Sequence, residues 1–499
     1  MKRILLAAAA ISLLSSPVLA EPAVKATKSG VVFKELVNDA QIAEARNQMK
    51  AAGASDVSKL GFNLDKIDNV GLESFAKAFP DVVSLKVTAA KGGLTSLAPL
   101  AGLSKLKRLE LSCPDVADMS PLAGLTGLSD LNVAYGGSEG SLEWMSKLTN
   151  LTKVAVSSQG VTSLVGLPAL TALKTIRLNV NVKDLEPLAA LTGLKEVNLT
   201  GSSIGDLSAL AKLPNLEKVN LYGASVKDFS PLAGCPNLKE LTYYATKGSD
   251  YSTLGKLTQL TKLDGGLTQL KDISWIAGLD KLKEFDVFAE YVTDYTPLAG
   301  AKSLEKFKIW SMRVSVGDLG FLSSVPSLKD LTIDTALDAK NFAAIGTLPN
   351  LEQLCLREIN VKAGEPLDLA FLTNLKNLKK LTLAKETALN PDFTGLSALK
   401  NIQARELNAA ENAPAFDLAK LKDLPELTTL ELDKSKVANF EAMSGLPKLR
   451  SLSLKGVKGV SSLESLKNFP ALKNLSLSKG AFTDEQLKAV PQNVKVTLN

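Results

Sequence analysis

Tyr222, Tyr244, Phe288 and Trp310 fall on one 22-residue spacing, and Gly266 occupies the one place in the series without an aromatic ring. Aromatic residues make up only 5% of the 499-residue chain, so four in one periodic column is a concentration. Asp264, Asp286, Glu290, Lys308 and Arg313 lie close by in sequence. Rings beside charged groups do noncovalent chemistry: they offer large contact area at low entropy cost, with charge to orient a partner. The set expected to bind a partner is therefore Tyr222, Tyr244, Asp264, Asp286, Phe288, Glu290, Lys308 and Trp310. The competing reading is a cross-strand aromatic ladder that only stabilises a sheet.

Covalent chemistry has little to work with. The chain contains no histidine, which removes Ser-His-Asp and Cys-His catalysis and histidine-ligated metal sites. Cys113, Cys235 and Cys355 form no CxxC pair and sit many repeats apart, so neither a zinc site nor an internal disulfide is expected. Cys235 is read as buried and Cys355 as outward-facing and inert. A recurring aspartate, at Asp118, Asp184, Asp206, Asp228, Asp272 and Asp294, could suggest calcium. Single carboxylates spread over separate repeats fit side-chain turns onto their own backbone better. No cofactor, no metal and no enzymatic activity are expected. The net charge of +6 is interspersed and lacks a basic run, so no nucleic-acid partner is expected either.

The 22-residue column belongs to a repeat. The unit L-x-x-L-x-L appears in Leu106-Lys107-Arg108-Leu109-Glu110-Leu111 and again in Leu216-Glu217-Lys218-Val219-Asn220-Leu221. Its second apolar residue recurs from Leu85 through Val197, Val219, Leu241, Leu263, Phe285 and Phe307 to Leu475. L-x-L has strand period two, so the leucines point inward and the x residues outward. A second segment, D-x-x-P-L-A-x-L, recurs as Asp118-Met119-Ser120-Pro121-Leu122-Ala123-Gly124-Leu125 and as Asp228-Phe229-Ser230-Pro231-Leu232-Ala233-Gly234. Its proline presets a tight turn or a short 3₁₀ stretch. One unit cannot bury its leucines alone, whereas stacked units share a continuous core. Trp144 and Trp275 take the proline position of this segment and are read as packing residues.

On these motifs, over roughly residues 81–480, the chain resembles the internalin-type bacterial leucine-rich-repeat proteins. The resemblance implies an α/β-type leucine-rich-repeat solenoid of about 18 repeats. A parallel sheet would line its concave face, turn and 3₁₀ segments its convex face. It also implies a non-enzymatic binder of a protein partner through the concave face. The alternative is a periplasmic inhibitor or scaffold acting on a bacterial envelope protein or toxin. One departure stands out. The family's asparagine five residues after the anchor is Ala90, Ser202, Ala224, Thr246 and Ser435 here, and only Asn181 matches.

The ends read differently from the middle. Lys2 and Arg3, the apolar Ile4 to Leu14, and Val18-Leu19-Ala20 before Glu21 fit a secretory signal peptide over residues 1–20. An exported protein, periplasmic or extracellular, is expected, with no membrane insertion once the leader is gone and a monomeric state. Residues 21–80 lack the repeat. They suggest a cap with helices over Asn38 to Ala52 and Gly71 to Phe79. Residues 481–499 suggest a second cap, with a helix start at Thr483 and a last strand from Val494 to Leu498. The longer units after Phe307 carry Asn390-Pro391-Asp392-Phe393 and Pro414-Ala415-Phe416-Asp417, read as tolerated loop insertions.

Overall fold

The computed structural model describes residues 23–499 apart from 55, 91, 138–139, 202, 245–249, 268–269, 313, 361–366, 385–388, 391–392, 394, 407–414 and 444–445. The expected leader of residues 1–20, Arg313, two of the positions that replace the family's asparagine (Ser202 and Thr246), and Pro391, Asp392 and Pro414 of the late insertions lie outside the described residues. The described residues fall into two compact units, divided between Glu139 and Gly140.

Each unit is a stack of strand and 3₁₀ segments of leucine-rich-repeat type, with parallel strands on one side and short turns on the other. In the first unit, Gly30–Leu36, Gly61–Ile67, Ser84–Ala89, Arg108–Cys113 and Asp130–Tyr135 pair in parallel. A short antiparallel strand, Val24–Ala26, lies on the far edge of Gly30–Leu36. In the second unit the ladder runs from Lys153–Ser158 to Lys495–Leu498, also in parallel. The register is one-to-one, so Val197, Val219, Leu241, Leu263, Phe285 and Phe307 share one inward row. All six are at most 2% exposed, which is the packing the leucine pattern predicts.

The second segment of each repeat folds as a 3₁₀ turn such as Ser120–Gly124, Ser230–Gly234 or Thr296–Gly300, with proline near its start. Its leucines, Leu122, Leu232 and Leu298, are fully buried against the strands' inner face. Burying one such side chain stabilises by about 1.5–3 kcal/mol, so the shared core rather than any one turn holds the stack. The recurring aspartates accept the backbone N–H two residues on: Ser120 to Asp118, Ser208 to Asp206 and Ser230 to Asp228, each at 2.8 Å. Asp250 and Asp417 make the same turn. This satisfies backbone donors that a 3₁₀ start leaves open. At two of the positions that replace the family's asparagine the chain closes a tight turn on itself, Ala224 N–H to Leu221 O and Ser435 N–H to Leu432 O, whereas Ala90 N–H donates to Ile67 O of the preceding strand.

One feature differs from the sequence expectation. Strands in register with the repeats begin at Gly30 and Gly61, well before residue 81. Their inward residues are Val31, Phe33, Phe62 and Leu64, a valine–phenylalanine pattern that the leucine unit does not reveal. Helices follow these two strands, Asp39–Ala51 capped by Asn38 and Asn69–Ala78 capped by Asp68. The far end holds Asp484–Leu487, with a reciprocal cap between Thr483 and Gln486, and the strand Lys495–Leu498. Trp144 and Trp275 are 8% and 9% exposed, as packing residues should be.

Candidate functional site

Five neighbouring segments of the second unit build the candidate surface. Strands Lys218–Asn220, Glu240–Tyr244, Lys262–Leu267, Glu284–Ala289 and Lys306–Trp310 run in parallel. Their register places Tyr244, Gly266, Phe288 and Trp310 side by side. The neighbouring row holds Thr242, Asp264, Asp286 and Lys308. Tyr222 lies just past its strand, in a turn closed by Gly223 at φ 73°. Its amide donates to Asn220 Oδ1 at 2.9 Å. The Tyr222 ring lies 5.6 Å from that of Tyr244 and is 51% exposed, among the largest exposed apolar surfaces described.

The structure brings seven of the eight predicted residues together on the outward face. Tyr244, Asp264, Asp286, Phe288, Lys308 and Trp310 are partly exposed. Glu290 differs: it lies beyond the strand end and only 9% of it reaches solvent, so it does not join the outward rows. The chain turns after Ala289, and the outward rows stop with the strand.

The polar ends of the rings are tied to the two aspartates. The Tyr244 hydroxyl donates to Asp264, and Trp310 Nε1 donates to Asp286 Oδ1 at 3.0 Å. These donors reach the Asp264–Asp286 pair from opposite sides, since Tyr244 precedes Asp264 by one strand and Trp310 follows Asp286 by one. Burial raises the Asp286 pKa above the usual carboxylate range, and the neighbouring Asp264 charge adds to it. Lys308 and the Trp310 hydrogen bond partly offset the rise. Burial and the hydrogen bond to Asp264 hold the Tyr244 hydroxyl protonated well above its ordinary range.

Gly266 and Gly265 explain how the rings fit. Neither has a positive φ, so the backbone does not require glycine there. Space does. A Cβ on Gly266 would stand 2.2 Å from the Tyr244 ring, and one on Gly265 would stand 2.3 Å from the Tyr243 ring on the inner side. The missing aromatic at 266 is therefore the seat of the Tyr244 ring.

The sequence reading missed the next two repeats. Arg357 packs over the Trp310 ring at 5.6 Å and pairs with Asp334 at 3.2 Å. Both continue the aromatic column, and counting onward from the anchors Leu331 and Leu354 would have found them. It also missed the flanking charge ladder, in which Lys218 pairs with Glu240, Lys262 with Glu284 and Lys306 with Asp330 at 2.7–3.8 Å. The alternating signs at one column position were the legible signal. Farther along the same face, Arg357, Thr382, Gln403, Glu431 and Asp433 line a polar hollow of about 270 Å³.

The thiols behave as structural groups. Burial pushes Cys113 up to about 12 and Cys235 up to about 11. Cys355 is also raised by burial, with Arg357 pulling partly the other way. No group of three or more potential metal ligands occurs among the described residues. No helix among them is long and apolar enough to cross a membrane.

No protein-family model and no curated protein matches the sequence. Solved structures do match. An internalin from Listeria monocytogenes is 23% identical over 70% of this chain and 96% of its own, with TM-score 0.52. The TLR13–ssRNA13 complex gives 18% identity over 84% of this chain and 62% of the matched chain, with TM-score 0.55. A leucine-rich-repeat protein of Leptospira interrogans is 16% identical over 81% of this chain and 94% of its own, with TM-score 0.48. At these identities the likeness is one of fold, the leucine-rich-repeat solenoid, and it is consistent with the internalin type.

Proposed function

We propose that this chain is an exported, non-enzymatic solenoid that binds a protein partner through the outward strand face between Tyr222 and Trp310. The half-exposed Tyr222 ring, packed at a tilt against Tyr244 beside the Asp264–Asp286 pair, carries the proposal. Aromatic surface is enriched at the centres of protein interfaces, and fixed charge beside it orients a partner. Tyr244 and Trp310 use their polar ends within the sheet, so they present rings already held in place. Ordering them costs little on binding. Asp264, Asp286, Phe288 and Lys308 supply the surrounding contacts. The absence of histidine and of any nucleophile motif supports a binding rather than a catalytic role. The leader-like start supports export.

Comparing Tyr222→Ala with Val165→Ala tests the proposal. Val165 is equally exposed, at 50%, but lies away from the aromatic column. Tagged proteins expressed in the native cells should retain a discrete partner in the wild type and Val165→Ala, and lose it in Tyr222→Ala. Equal retention by all three would remove the strand face from consideration. Fractionation with protease treatment of intact cells locates the protein. Digestion of the cell-associated form or its appearance in the medium favours an outward-facing binder. Protection with release on osmotic shock favours a periplasmic inhibitor or scaffold.

A further inference from the structure

Carboxylates on the outward face of the second unit are neutralised within the chain as a rule. Glu240, Glu284, Asp330, Asp334 and Asp433 each have a lysine or arginine within 2.7–3.8 Å. Asp264 and Asp286 break the rule, as does Glu431 farther along, which accepts from Gln403 instead. The two aspartates stand directly opposite each other on adjacent strands, which run about 4.8 Å apart. Among the described residues neither forms an ion pair within 4.0 Å. Their only side-chain partners described are the Tyr244 hydroxyl and Trp310 Nε1. Two carboxylates held side by side in partial burial repel each other, and a cation placed over both removes that cost.

The chain itself shows what such a cation looks like. Two strands beyond Trp310, Arg357 lies over the indole at 5.6 Å while its guanidinium pairs with Asp334 at 3.2 Å. One ring and one carboxylate thus hold one guanidinium. On the other side of Trp310 the same kinds of accepting group are present, two carboxylates with the rings of Tyr244, Phe288 and Tyr222, and there no side chain of this protein fills the cation's place among the described residues. We infer that the Asp264–Asp286 pair, flanked by Tyr244 and Trp310 and rimmed by Tyr222 and Phe288, receives an arginine or lysine side chain of a protein partner.

The inference rests on the binding face proposed above and gives its partner a chemistry. A guanidinium lies flat on a ring and donates to two oxygens at once, which suits the paired carboxylates. Lys308, one strand beyond Asp286, opposes cations approaching from its side, so the basic group enters over Asp264 and the Tyr222–Tyr244 edge. A nucleic-acid backbone meets the wrong charge here.

Selection from a random dodecapeptide library on the immobilised full-length protein tests this. Enriched peptides should carry an arginine or lysine next to an apolar residue. The best peptide should bind the Asp264→Asn/Asp286→Asn variant at least tenfold more weakly than wild type, and should lose affinity as salt is raised. Asparagine still accepts from Tyr244 and Trp310, so this variant keeps the ring positions, and circular dichroism checks that it does. A consensus without basic residues, binding within twofold in the double variant, or no enrichment overturns the inference. The two readings separate through Tyr222→Ala. Peptides weakened by Tyr222→Ala but not by the asparagine pair leave the binding face standing without its basic ligand. Peptides indifferent to Tyr222→Ala remove the binding face as well.

Discussion

Gly265 and Gly266 offer a sharp test of how the sheet positions its rings. Both lie in the strand Lys262–Leu267, and neither needs glycine for its backbone conformation. Alanine at 265 puts a methyl 2.3 Å from Cζ of Tyr243, a fully buried ring packed against Phe229 at 5.6 Å and Tyr251 at 6.4 Å. Carbon atoms need about 3.5–4.0 Å, so the ring must shift by more than about 1 Å in a packed core. Such overpacking costs about 1–3 kcal/mol, and the lower entropy of the unfolded alanine chain returns about 0.4–1 kcal/mol. Gly265→Ala should therefore destabilise by about 1–2 kcal/mol. Alanine at 266 meets Tyr244 at 2.2 Å, but that ring is partly exposed and swings outward. The Tyr244–Asp264 hydrogen bond is lost and water replaces it, so the net stability change should stay below about 1 kcal/mol. Urea unfolding of both variants reads the order directly, and near-ultraviolet circular dichroism should show the larger aromatic change for Gly266→Ala. Gly265→Ala as stable as wild type, or less harmful than Gly266→Ala, would refute the argument that space rather than backbone selects these glycines.

The other expectations concern charge, rings, turns and thiols. Asp286 has a raised pKa in the folded state, so its ionisation opposes folding: the penalty is present above the folded pKa and disappears as pH falls towards the unfolded value. Asp286→Asn should stabilise the protein at neutral pH, with the gain shrinking as pH falls towards 4; a gain that grows in acid contradicts this sign. Trp310→Ala breaks a charged hydrogen bond and a cation–ring contact, worth together about 2–4 kcal/mol. Trp310→Ala should therefore lower stability, whereas Tyr222→Ala, whose ring makes neither contact, should leave unfolding nearly unchanged, as thermal melts of the single variants will show. Asp228→Ala removes a turn acceptor and should cost about 1 kcal/mol by urea unfolding. A thiol reagent should label Cys355 slowly and Cys113 and Cys235 only in denaturant; rapid labelling of a native Cys113 would show that its repeat opens.

Much of the fold was legible because one small unit repeats. Leu122 and Leu232 announce the buried side of the turn, and period two in Val219-Asn220-Leu221 announces a half-buried strand. What the pattern could not show is where the strands begin, since Val31, Phe33 and Phe62 do the work of leucine without its spacing. The outward surface was partly legible. Register carried Tyr244, Phe288 and Trp310 into one row, as their spacing implied. The hydrogen bonds that tie Tyr244 to Asp264 and Trp310 to Asp286 depend on how each ring leans, and spacing does not encode lean. Nearness in sequence likewise misled for Glu290, which follows Asp286 and Phe288 closely but lies past the strand end at Ala289. Gly266 reads in sequence as a gap in the row, and in the structure as the space that one ring requires.

Site-specific photocrosslinking tests the central claim most directly. A photoreactive residue replaces Tyr222, and a second protein carries it at Lys212, which is exposed on a 3₁₀ turn outside the aromatic column. Both proteins are expressed in the native cells, in contact with whatever the protein meets there, and illuminated. The account predicts a discrete adduct with one protein species from position 222 and none from 212. Adducts from 212 with none from 222, or identical adducts from both, would contradict it.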